Sequence, residues 1–292
     1  MNAHHAGTQF FRGNSAFDRL LLFYGKGVLV LTKLTVACPV CGEAAPHVYA
    51  HPEARIHRRP RCTHAFGHPA SIAGLERYSA DCYETHRNWF AYPNTRLFRW
   101  SERQLPNTVQ SLVDVGCGRG QFLSYLHHQR PTLRLVGVDL SNNVDRDGIE
   151  FHTSDVLELE LGKFDAVVSL ATIEHVADTI AFVKRLHSLC KPGGSVMVMT
   201  LDDGSLSYGV ARLVHLLGIS TAFSRLYSAH HLHHFTSKSL AQLLERNGLT
   251  VQKKLSHSVP LRAIDVPADH LSSFRFCLWR RQRSSPVRSA EK

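Results

Sequence analysis

Long apolar runs are missing from this sequence of 292 residues. Two apolar stretches near the N-terminus, 20–24 and 27–31, are separated and bordered by Asp18, Lys26 and Lys33. Neither approaches the roughly 20 apolar residues that a membrane-spanning helix requires. The sequence therefore predicts no transmembrane segment, and we expect both stretches to pack against the body of the protein.

A regular cysteine framework is also missing, although the chain contains seven cysteines. Scattered cysteines argue against a disulfide scaffold and favour reduced thiols in a cytoplasmic protein. Hydrophobic residues make up 43% of the chain and charged residues 20%, as in ordinary globular proteins. The length allows one large domain and a small appendage.

Acidic residues are in the minority: 24 of them stand against 34 lysines and arginines, which gives a formal charge of +10. Much of the excess lies in 55–61 and in the tail from Arg280 onward. Such a balance favours a nucleic acid, an anionic lipid or a phosphorylated substrate as partner, or it belongs to a solvated tail.

Residues 111–126 predict a strand, a glycine turn and a helix, in that order. Ser111–Val115 is an apolar run typical of a buried parallel strand, and the spacing after the glycines is helical. Gly116, Gly118 and Gly120 occupy alternate positions, so a backbone can approach a nucleotide-like ligand without a Cβ in the way. A dinucleotide fingerprint would place its third glycine one residue later.

Further strands are predicted downstream, at 133–139, 149–155, 164–170 and 195–200. Asp139 ends the first of them, about 20 residues after the glycines, where a carboxylate can accept hydrogen bonds from both ribose hydroxyls. Asp155 ends the second. This order predicts a doubly wound, mostly parallel α/β sheet.

These motifs resemble those of the class I S-adenosylmethionine-dependent methyltransferases. The similar pieces are VDVGCGRG, VGVDLS, the Asp155 segment, FDAVVSLATIEHV and LCKPGG, which keep the family's order over roughly residues 95–280. The resemblance implies a Rossmann-like sheet of seven strands, with the strand at 274–279 antiparallel and inserted beside the strand at 249–255. It also implies S-adenosylmethionine as the cofactor.

The resemblance further implies which residues bind that cofactor. The glycine loop would hold its methionine and ribose portions, Asp139 its ribose hydroxyls, and Asp155 with its neighbours its adenine. Residues at the end of the fourth strand would line the approach to the methyl group. The set within the domain is Asp114, Gly116, Cys117, Gly118, Gly120, Asp139, Leu140, Ser154, Asp155, Val156, Leu170 and Ala171.

The aromatic segment before the domain resembles the pre-domain segment of bacterial methyltransferases from polysaccharide and secondary-metabolite pathways. Those proteins often carry a small N-terminal zinc ribbon, followed by a Tyr-Tyr helix that covers the cofactor. The resemblance implies a cofactor-pocket role for Tyr78 and Tyr83, and packing in the core is the alternative.

An incomplete zinc-ribbon pattern lies near the N-terminus. Cys38-Pro39-Val40-Cys41-Gly42 resembles the first knuckle of a ribbon, and Cys62 resembles the last cysteine of the second. Arg59 stands where the second knuckle needs another cysteine. Either a nearby histidine completes a zinc site, or the thiols are buried in a tight turn without metal. The candidate ligands are Cys38, Cys41, Cys62 and His64, with His57 and His68 as alternatives.

Glu174 and His175 follow the fourth strand in a sequence similar to the L-E-H-V element of small-molecule methyltransferases, including the ubiquinone-pathway O-methyltransferases. Some of those carry E-x-x-E-H and use a divalent cation. Ala171 replaces the first acid here, which argues against a metal-assisted mechanism. His175 is either a catalytic base or a residue that hydrogen-bonds at the start of a helix.

Four further histidines precede a predicted helix that Thr236 caps. Their segment resembles one that borders the acceptor site in polysaccharide-associated methyltransferases, and it follows an amphipathic insertion, 201–229, that predicts a lid. A histidine suits the removal of a proton from a hydroxyl acceptor. Metal binding and structural hydrogen bonding are the alternatives for this group: His230, His231, His233 and His234.

The sequence thus predicts methyl transfer to a small-molecule or glycan acceptor, at a hydroxyl oxygen. An RNA methyltransferase is one alternative, because some rRNA guanine methyltransferases also carry a zinc ribbon, although no N/D-P-P-Y/F tetrapeptide follows strand four. A non-catalytic cofactor-binding protein is another. The predicted divisions are an N-terminal segment 1–36, a ribbon-like knuckle 37–75, a helical cover 76–110, the methyltransferase domain 111–281 and a disordered tail 282–292.

Overall fold

A computed structural model describes residues 23–24, 27–28, 35–51, 54–67, 91–141, 148–228, 231–258 and 273–281. The predictions for Tyr78, Tyr83, His68, His230 and the tail 282–292 lie outside these residues. No helix of the described part is long and apolar enough to cross a membrane.

The first described strands are short and antiparallel. β1 (Phe23–Tyr24) pairs with β2 (Gly27–Val28). A small sheet then occupies much of the region predicted to be a ribbon-like knuckle, and its first four strands are β3 (Thr35–Ala37), β4 (Ala44–Ala50), β5 (Arg55–Arg58) and β6 (Ala65–Gly67).

From residue 95 onward, the described strands are interspersed with helices. A 3₁₀ turn, Ile173–His175, follows β10. The elements are α1 (Thr95–Gln104), β7 (Ser111–Val115), α2 (Gln121–Gln129), β8 (Arg134–Asp139), β9 (Glu150–Thr153), β10 (Phe164–Leu170), α3 (Thr179–Leu189), β11 (Cys190–Leu201), α4 (Leu206–Leu216), α5 (Thr221–Leu226), β12 (His233–His234), α6 (Ser237–Arg246), β13 (Leu249–Ser258) and β14 (Ser273–Arg281).

The main sheet has the strand order β13-β14-β11-β10-β7-β8-β9. Its strands β7 to β11 are parallel, which confirms the predicted parallel sheet, and β14 runs antiparallel to both of its neighbours. The chain passes from β7 through β8 to β9 and then returns to the other side of β7 with β10. Ligands of open α/β sheets bind at such a reversal of strand order, outside the carboxyl ends of the strands.

Side chains of the parallel strands alternate between two buried layers. One layer packs against α1 and α2 and contains Leu112, Ala166 and Met197. The other packs against α3 and α6 and contains Val113, Val167 and Val198. Both faces of the strands are therefore apolar, which explains why the sequence shows continuous apolar runs here and no alternation.

The small sheet is completed by a strand from far along the chain. β12 pairs with β6, with His233 opposite Phe66 and His234 opposite Ala65, so the strand order is β12-β6-β5-β4-β3. The sequence analysis assigns residues 37–75 to a ribbon-like appendage. In the structure, His233 and His234 of the 111–281 segment supply the edge strand of this small sheet.

The predicted helical insertion, 201–229, forms α4 and α5. Its buried side chains Tyr208, Phe223 and Tyr227 pack with Ile56 and Ala65 of the small sheet. On the opposite side of α4, Leu206, Val210, Leu213 and Leu216 are 49–84% exposed. The insertion thus covers the small sheet, and its role as an acceptor lid stays a prediction.

Candidate active site

A cleft opens at the carboxyl ends of β7 and β10, where the strand order reverses. The glycine turn forms its floor: Gly116, Gly118 and Gly120 have φ of +76°, +54° and +65°. A Cβ on Gly116 would lie 2.2 Å from Oγ1 of Thr172, so no larger residue fits there. The first and second glycines line the cleft, and Gly120 begins α2.

Asp139 lines the cleft at the end of β8 with both carboxylate oxygens engaged. Oδ2 accepts a hydrogen bond from the backbone nitrogen of Gly118 at 2.8 Å. Oδ1 accepts bonds from the nitrogen and the hydroxyl of Ser141, at 2.9 and 2.5 Å. These donors fix the carboxylate beside the glycine turn, at the place where the sequence predicts ribose binding.

Asp114 lines the same cleft from the interior of β7 and is 2% exposed. Burial, together with the nearby charge of Asp139, raises its pKa to about 8. Its Oδ1 is buried without a hydrogen-bond partner among the described residues. A buried acceptor of this kind needs a donor, and a ligand cation would satisfy it.

Asn94 also lines the cleft, at the N-terminus of α1. Its Oδ1 accepts the backbone N–H of Leu97 at 3.1 Å and so caps the helix. Its Nδ2 is buried and has no acceptor within the described part of the chain. The cleft therefore offers an unsatisfied donor and an unsatisfied acceptor, which suits the carboxylate and ammonium groups of a methionine moiety.

Several predicted cofactor residues lie in the wall of the cleft and others do not. Those in the wall are Asp114, Gly116, Cys117, Gly118, Asp139, Leu170 and Ala171. Within the described residues, the cleft does not include Leu140, which is 46% exposed, Val156, which is in the core, or the pair Ser154 and Asp155. Ser154 donates its N–H to the backbone oxygen of Asp139, and Asp155 accepts the N–H of Leu157.

Sequence reasoning missed much of the cleft wall, namely Pro93, Asn94, Leu97, Phe98, Arg119, Gln121, Phe122 and Met199. An asparagine cap before an amphipathic helix was a readable signal for the start of α1. Met199 reaches the cleft because the pairing of β10 with β11 places it opposite Leu170. The sequence of neither strand predicts this register.

Ala171 stands directly after β10 with φ of +55°, in the left-handed region that non-glycine residues rarely adopt. Its N–H donates to the oxygen of Met199 at 2.9 Å. Backbone strain of this kind is characteristic of functional sites. The strained residue turns the chain from the cleft wall into the 3₁₀ turn that carries Glu174 and His175.

Glu174 points into the interior and is 1% exposed. Burial raises its pKa to about 7, and the hydroxyl of Thr200 donates a hydrogen bond to its Oε2 at 2.8 Å. This carboxyl group is thus held between β10 and β11, away from the surface.

The structure brings two of the candidate bases together. The rings of His175 and His231 have centroids 4.9 Å apart, and both side chains are half-buried. None of the four described candidate bases is part of the cleft wall. His233 and His234 belong to β12 and are at most 6% exposed, whereas His175 and His231 are half-buried. Burial lowers the pKa of His233 to about 4 and that of His234 to about 3.

The candidate metal ligands separate into two groups. The sulfur atoms of Cys38, Cys41 and Cys62 lie within 4.8 Å of one another. His64, predicted as the fourth ligand, is corrected: its Nε2 is 3.2 Å from Nδ1 of His233, and the two rings stack. His64 directly precedes β6, and its imidazole contacts β12 through His233.

Comparison with known proteins identifies the family and the fold of this chain. Residues 84–254, more than half of the chain, match the family model described as a methyltransferase domain. A ubiquinone biosynthesis O-methyltransferase of Ruegeria pomeroyi is 29% identical over 171 residues, which cover 50% of this chain and 68% of that protein. An uncharacterized methyltransferase of Mycobacterium bovis is 32% identical over 120 residues, which cover 38% of this chain and 61% of that protein.

A solved structure has the same fold. It is a Burkholderia thailandensis 1,6-didemethyltoxoflavin-N1-methyltransferase with bound 1,6-didemethyltoxoflavin and S-adenosylhomocysteine. The match has a TM-score of 0.51 at 19% identity and covers 81% of this chain and 99% of the other. The family match and the glycine cleft lead to one conclusion: this chain belongs to the methyltransferase domain family and is an S-adenosylmethionine-dependent methyltransferase.

Proposed function

We propose that this enzyme methylates a hydroxyl oxygen of a small-molecule or glycan acceptor, with His175 or His231 as the base. The single observation that carries the proposal is the contact between these two rings, 4.9 Å apart, beyond the cleft wall at the end of β10. The relative from Ruegeria pomeroyi bears the name of an O-methyltransferase of ubiquinone biosynthesis, which also supports an oxygen acceptor.

S-adenosylmethionine supplies a sulfonium-bound methyl group that is intrinsically electrophilic. The protein therefore has to orient donor and acceptor and exclude water. Asp114 would accept a hydrogen bond from the ammonium group of the cofactor, Asn94 would donate one to its carboxylate, and Asp139 would bind its ribose hydroxyls. Leu170 and Ala171 would face the reacting methyl group.

A hydroxyl acceptor must lose its proton as the new bond to carbon forms. The ring of His175 follows Ala171 by one 3₁₀ turn, and the ring of His231 lies against it. Either imidazole can take that proton, and its neighbour can orient it. Ala171 offers no carboxylate at the position where an E-x-x-E-H element has its first acid.

The basic segment 55–61 does not favour RNA as the substrate. Two of its guanidinium groups are used inside the protein: Arg58 pairs with the buried Asp203 at 2.7 Å, and Arg59 pairs with Glu43. Charges engaged in this way are poor contacts for phosphates. These two ion pairs therefore weaken the case for RNA as the substrate.

A methyl-transfer assay with phenolic, glycan and amine acceptors tests the proposal. Purified protein is given S-adenosylmethionine, S-adenosylhomocysteine formation is followed, and the product is identified by mass spectrometry. We expect transfer to hydroxyl acceptors. Exclusive transfer to amines would contradict the choice of oxygen and leave the methyltransferase assignment intact.

The variants His175→Gln and His231→Gln then test the base. Removal of a general base lowers kcat by about 10²–10⁴-fold, and we expect that loss in one of them, with cofactor affinity unchanged by calorimetry. His128→Gln, which changes an exposed histidine of α2, is the matched control. Full kcat in both variants would show that neither ring is the base.

A further inference from the structure

Three cysteines outside the cofactor cleft place their sulfur atoms together. The Sγ atoms of Cys38, Cys41 and Cys62 lie within 4.8 Å of one another, and those of Cys38 and Cys62 are 3.6 Å apart. Sulfurs that bind one tetrahedral zinc ion at about 2.3 Å are about 3.8 Å apart, whereas bonded sulfurs are about 2.05 Å apart. The spacing of Cys38 and Cys62 excludes a disulfide; it is that of a hydrogen bond between two thiols and is also close to the spacing of sulfurs that share an ion.

Two separate turns aim these thiols at one point. Between β3 and β4, the N–H of Gly42 donates to the oxygen of Cys38 at 2.8 Å. Between β5 and β6, the N–H of Thr63 donates to the oxygen of Arg59 at 2.8 Å, and Thr63 has φ of +64°. Positive φ is strained for a β-branched residue. The second turn thus keeps a strained conformation at the residue that follows Cys62, as ligand-binding turns do.

The described residues supply three ligands and no fourth. His64 is engaged with His233, with 3.2 Å between their ring nitrogens. Arg59 occupies the position where a ribbon has its other cysteine. Its guanidinium group pairs with Glu43, so neither Arg59 nor Glu43 contributes to the thiol cluster. The fourth position of a tetrahedral ion would be filled from solvent, as in zinc sites with three protein ligands.

The thiols lie between the small sheet and a helix of the methyltransferase domain. Cys38 and Cys62 share a buried apolar cluster with Leu240 and Leu244 of α6. Arg246, in the last turn of α6, donates a hydrogen bond to the backbone oxygen of Cys41 at 3.1 Å. An ion bound here would join the two turns of the small sheet and hold both against α6.

We propose that Cys38, Cys41 and Cys62 bind one zinc ion as three thiolates and that this ion fastens the small sheet to α6. Each thiol loses its proton when it binds, so metal uptake releases protons to solvent. The site shares no residue with the described cofactor cleft, and the ion would act by joining the two turns to α6. The inference is independent of the acceptor proposed above.

Metal analysis of the full-length purified protein is the first test. We expect one zinc per chain by mass spectrometry, and after exchange for Co²⁺ an intense sulfur-to-cobalt absorption in the near ultraviolet with the visible bands of a tetrahedral ion. Folded protein that contains no zinc and gives no such absorption with Co²⁺ would overturn the proposal.

Three variants define the ligand set. Cys62→Ser is expected to lose the sulfur-to-cobalt absorption, whereas His64→Asn keeps it unchanged, and Cys190→Ala, a buried cysteine of the main sheet, serves as the matched control. Loss of the metal in His64→Asn would replace the three-thiolate set by one that includes this histidine. Because Cys62→Ser could fail to fold, the wild-type metal content above decides the question by itself.

Metal removal from the wild-type protein tests the structural role. We expect a strong chelator to lower Tm, while the Kd for S-adenosylhomocysteine changes by less than about 3-fold once the folded fraction is accounted for. An unchanged Tm, or loss of cofactor binding in protein that remains folded, would contradict a fastening role.

Discussion

At the scale of single residues, the cleft is defined by polar atoms that the fold leaves unsatisfied. Asp114 Oδ1 and Asn94 Nδ2 are both buried, and neither has a partner among the described residues. Leaving such groups unpaired costs about 1–3 kcal/mol each. A bound cofactor would supply the missing hydrogen-bond partners. These two residues would therefore lower the stability of the free protein and raise its affinity for the cofactor.

The raised pKa of Asp114 predicts that cofactor binding releases a proton. With a pKa of about 8, the carboxyl group is mostly protonated at pH 7 in the free protein. The ammonium of the cofactor favours the carboxylate and lowers this pKa. Affinity is therefore expected to rise with pH up to about 8 and then to level off.

Calorimetry at pH 7 in buffers of different ionisation enthalpy measures the released proton directly. Wild-type protein should show a binding enthalpy that depends on the buffer. Asp114→Asn should remove most of that dependence and weaken binding about tenfold or more, as expected for the loss of a charged hydrogen bond. Equal enthalpies in all buffers for the wild type would show that Asp114 binds no cation.

At the scale of elements, the start of α6 connects the two sheets. Thr236 and Ser239 form a capping box, and the hydroxyl of Thr236 is also 2.6 Å from the hydroxyl of Thr63 in the small sheet. Two residues, Phe235 and Thr236, separate β12 from the first residue of this helix. One residue therefore fixes the helix start and contacts the turn that carries Cys62.

Thr236→Ala is expected to lower the free energy of unfolding by about 1–2 kcal/mol, because it removes the cap and the contact with Thr63. Thr236→Ser keeps a hydroxyl at the same place and should recover most of the loss. Urea unfolding followed by circular dichroism measures both. Equal stability of the alanine variant and the wild type would show that the cap contributes nothing measurable.

At the scale of the whole molecule, a buried ion pair joins the small sheet to the insertion. Asp203 is 1% exposed and accepts hydrogen bonds from Arg58 of β5 at 2.7 and 3.0 Å and from Arg212 of α4 at 3.1 Å. The hydroxyl of Tyr227 donates to the same carboxylate. The insertion is therefore tied to residues more than 140 positions earlier in the chain.

Two buried ionisable groups, one with a lowered and one with a raised pKa, make the stability of the fold depend on pH. His234 has a lowered pKa, so its contribution is present above pH 6.5 and is lost as pH falls toward 3. Glu174 has a raised pKa, so its neutral form favours folding as pH falls below about 7. The two groups tilt the stability profile in opposite directions.

Urea unfolding at pH 8 and pH 5 separates these contributions. In the wild type, the titration of His234 should lower the free energy of unfolding by about 2 kcal/mol between pH 8 and pH 5, and His234→Gln should abolish this decrease. The titration of Glu174 should raise the free energy of unfolding by a similar amount over the same range, and Glu174→Gln should abolish this increase. Profiles of both variants that run parallel to the wild type would show that neither group titrates differently in the folded state.

The parallel sheet and the glycine turn were predictable because their signals are local. Apolar runs end at Asp114-Val115 and at Asp139, and three glycines at alternate positions directly follow the first run. The wall formed by Asn94 and Met199 was not predictable in the same way, because it depends on how α1 and β11 are placed. The positions of the histidines were not predictable either. His231 contacts His175, whereas His233 is buried in an edge strand.

The sequence by itself determined the order of strands and helices, the glycine turn and the identity of the cofactor-binding family, because short-range apolar spacing and backbone requirements encode them. Only the tertiary structure decided which residues meet. It added β12 to the small sheet, turned His64 from the thiols toward His233, and packed the insertion on the small sheet. Those outcomes depend on contacts between residues more than 140 positions apart, and no local pattern specifies such contacts.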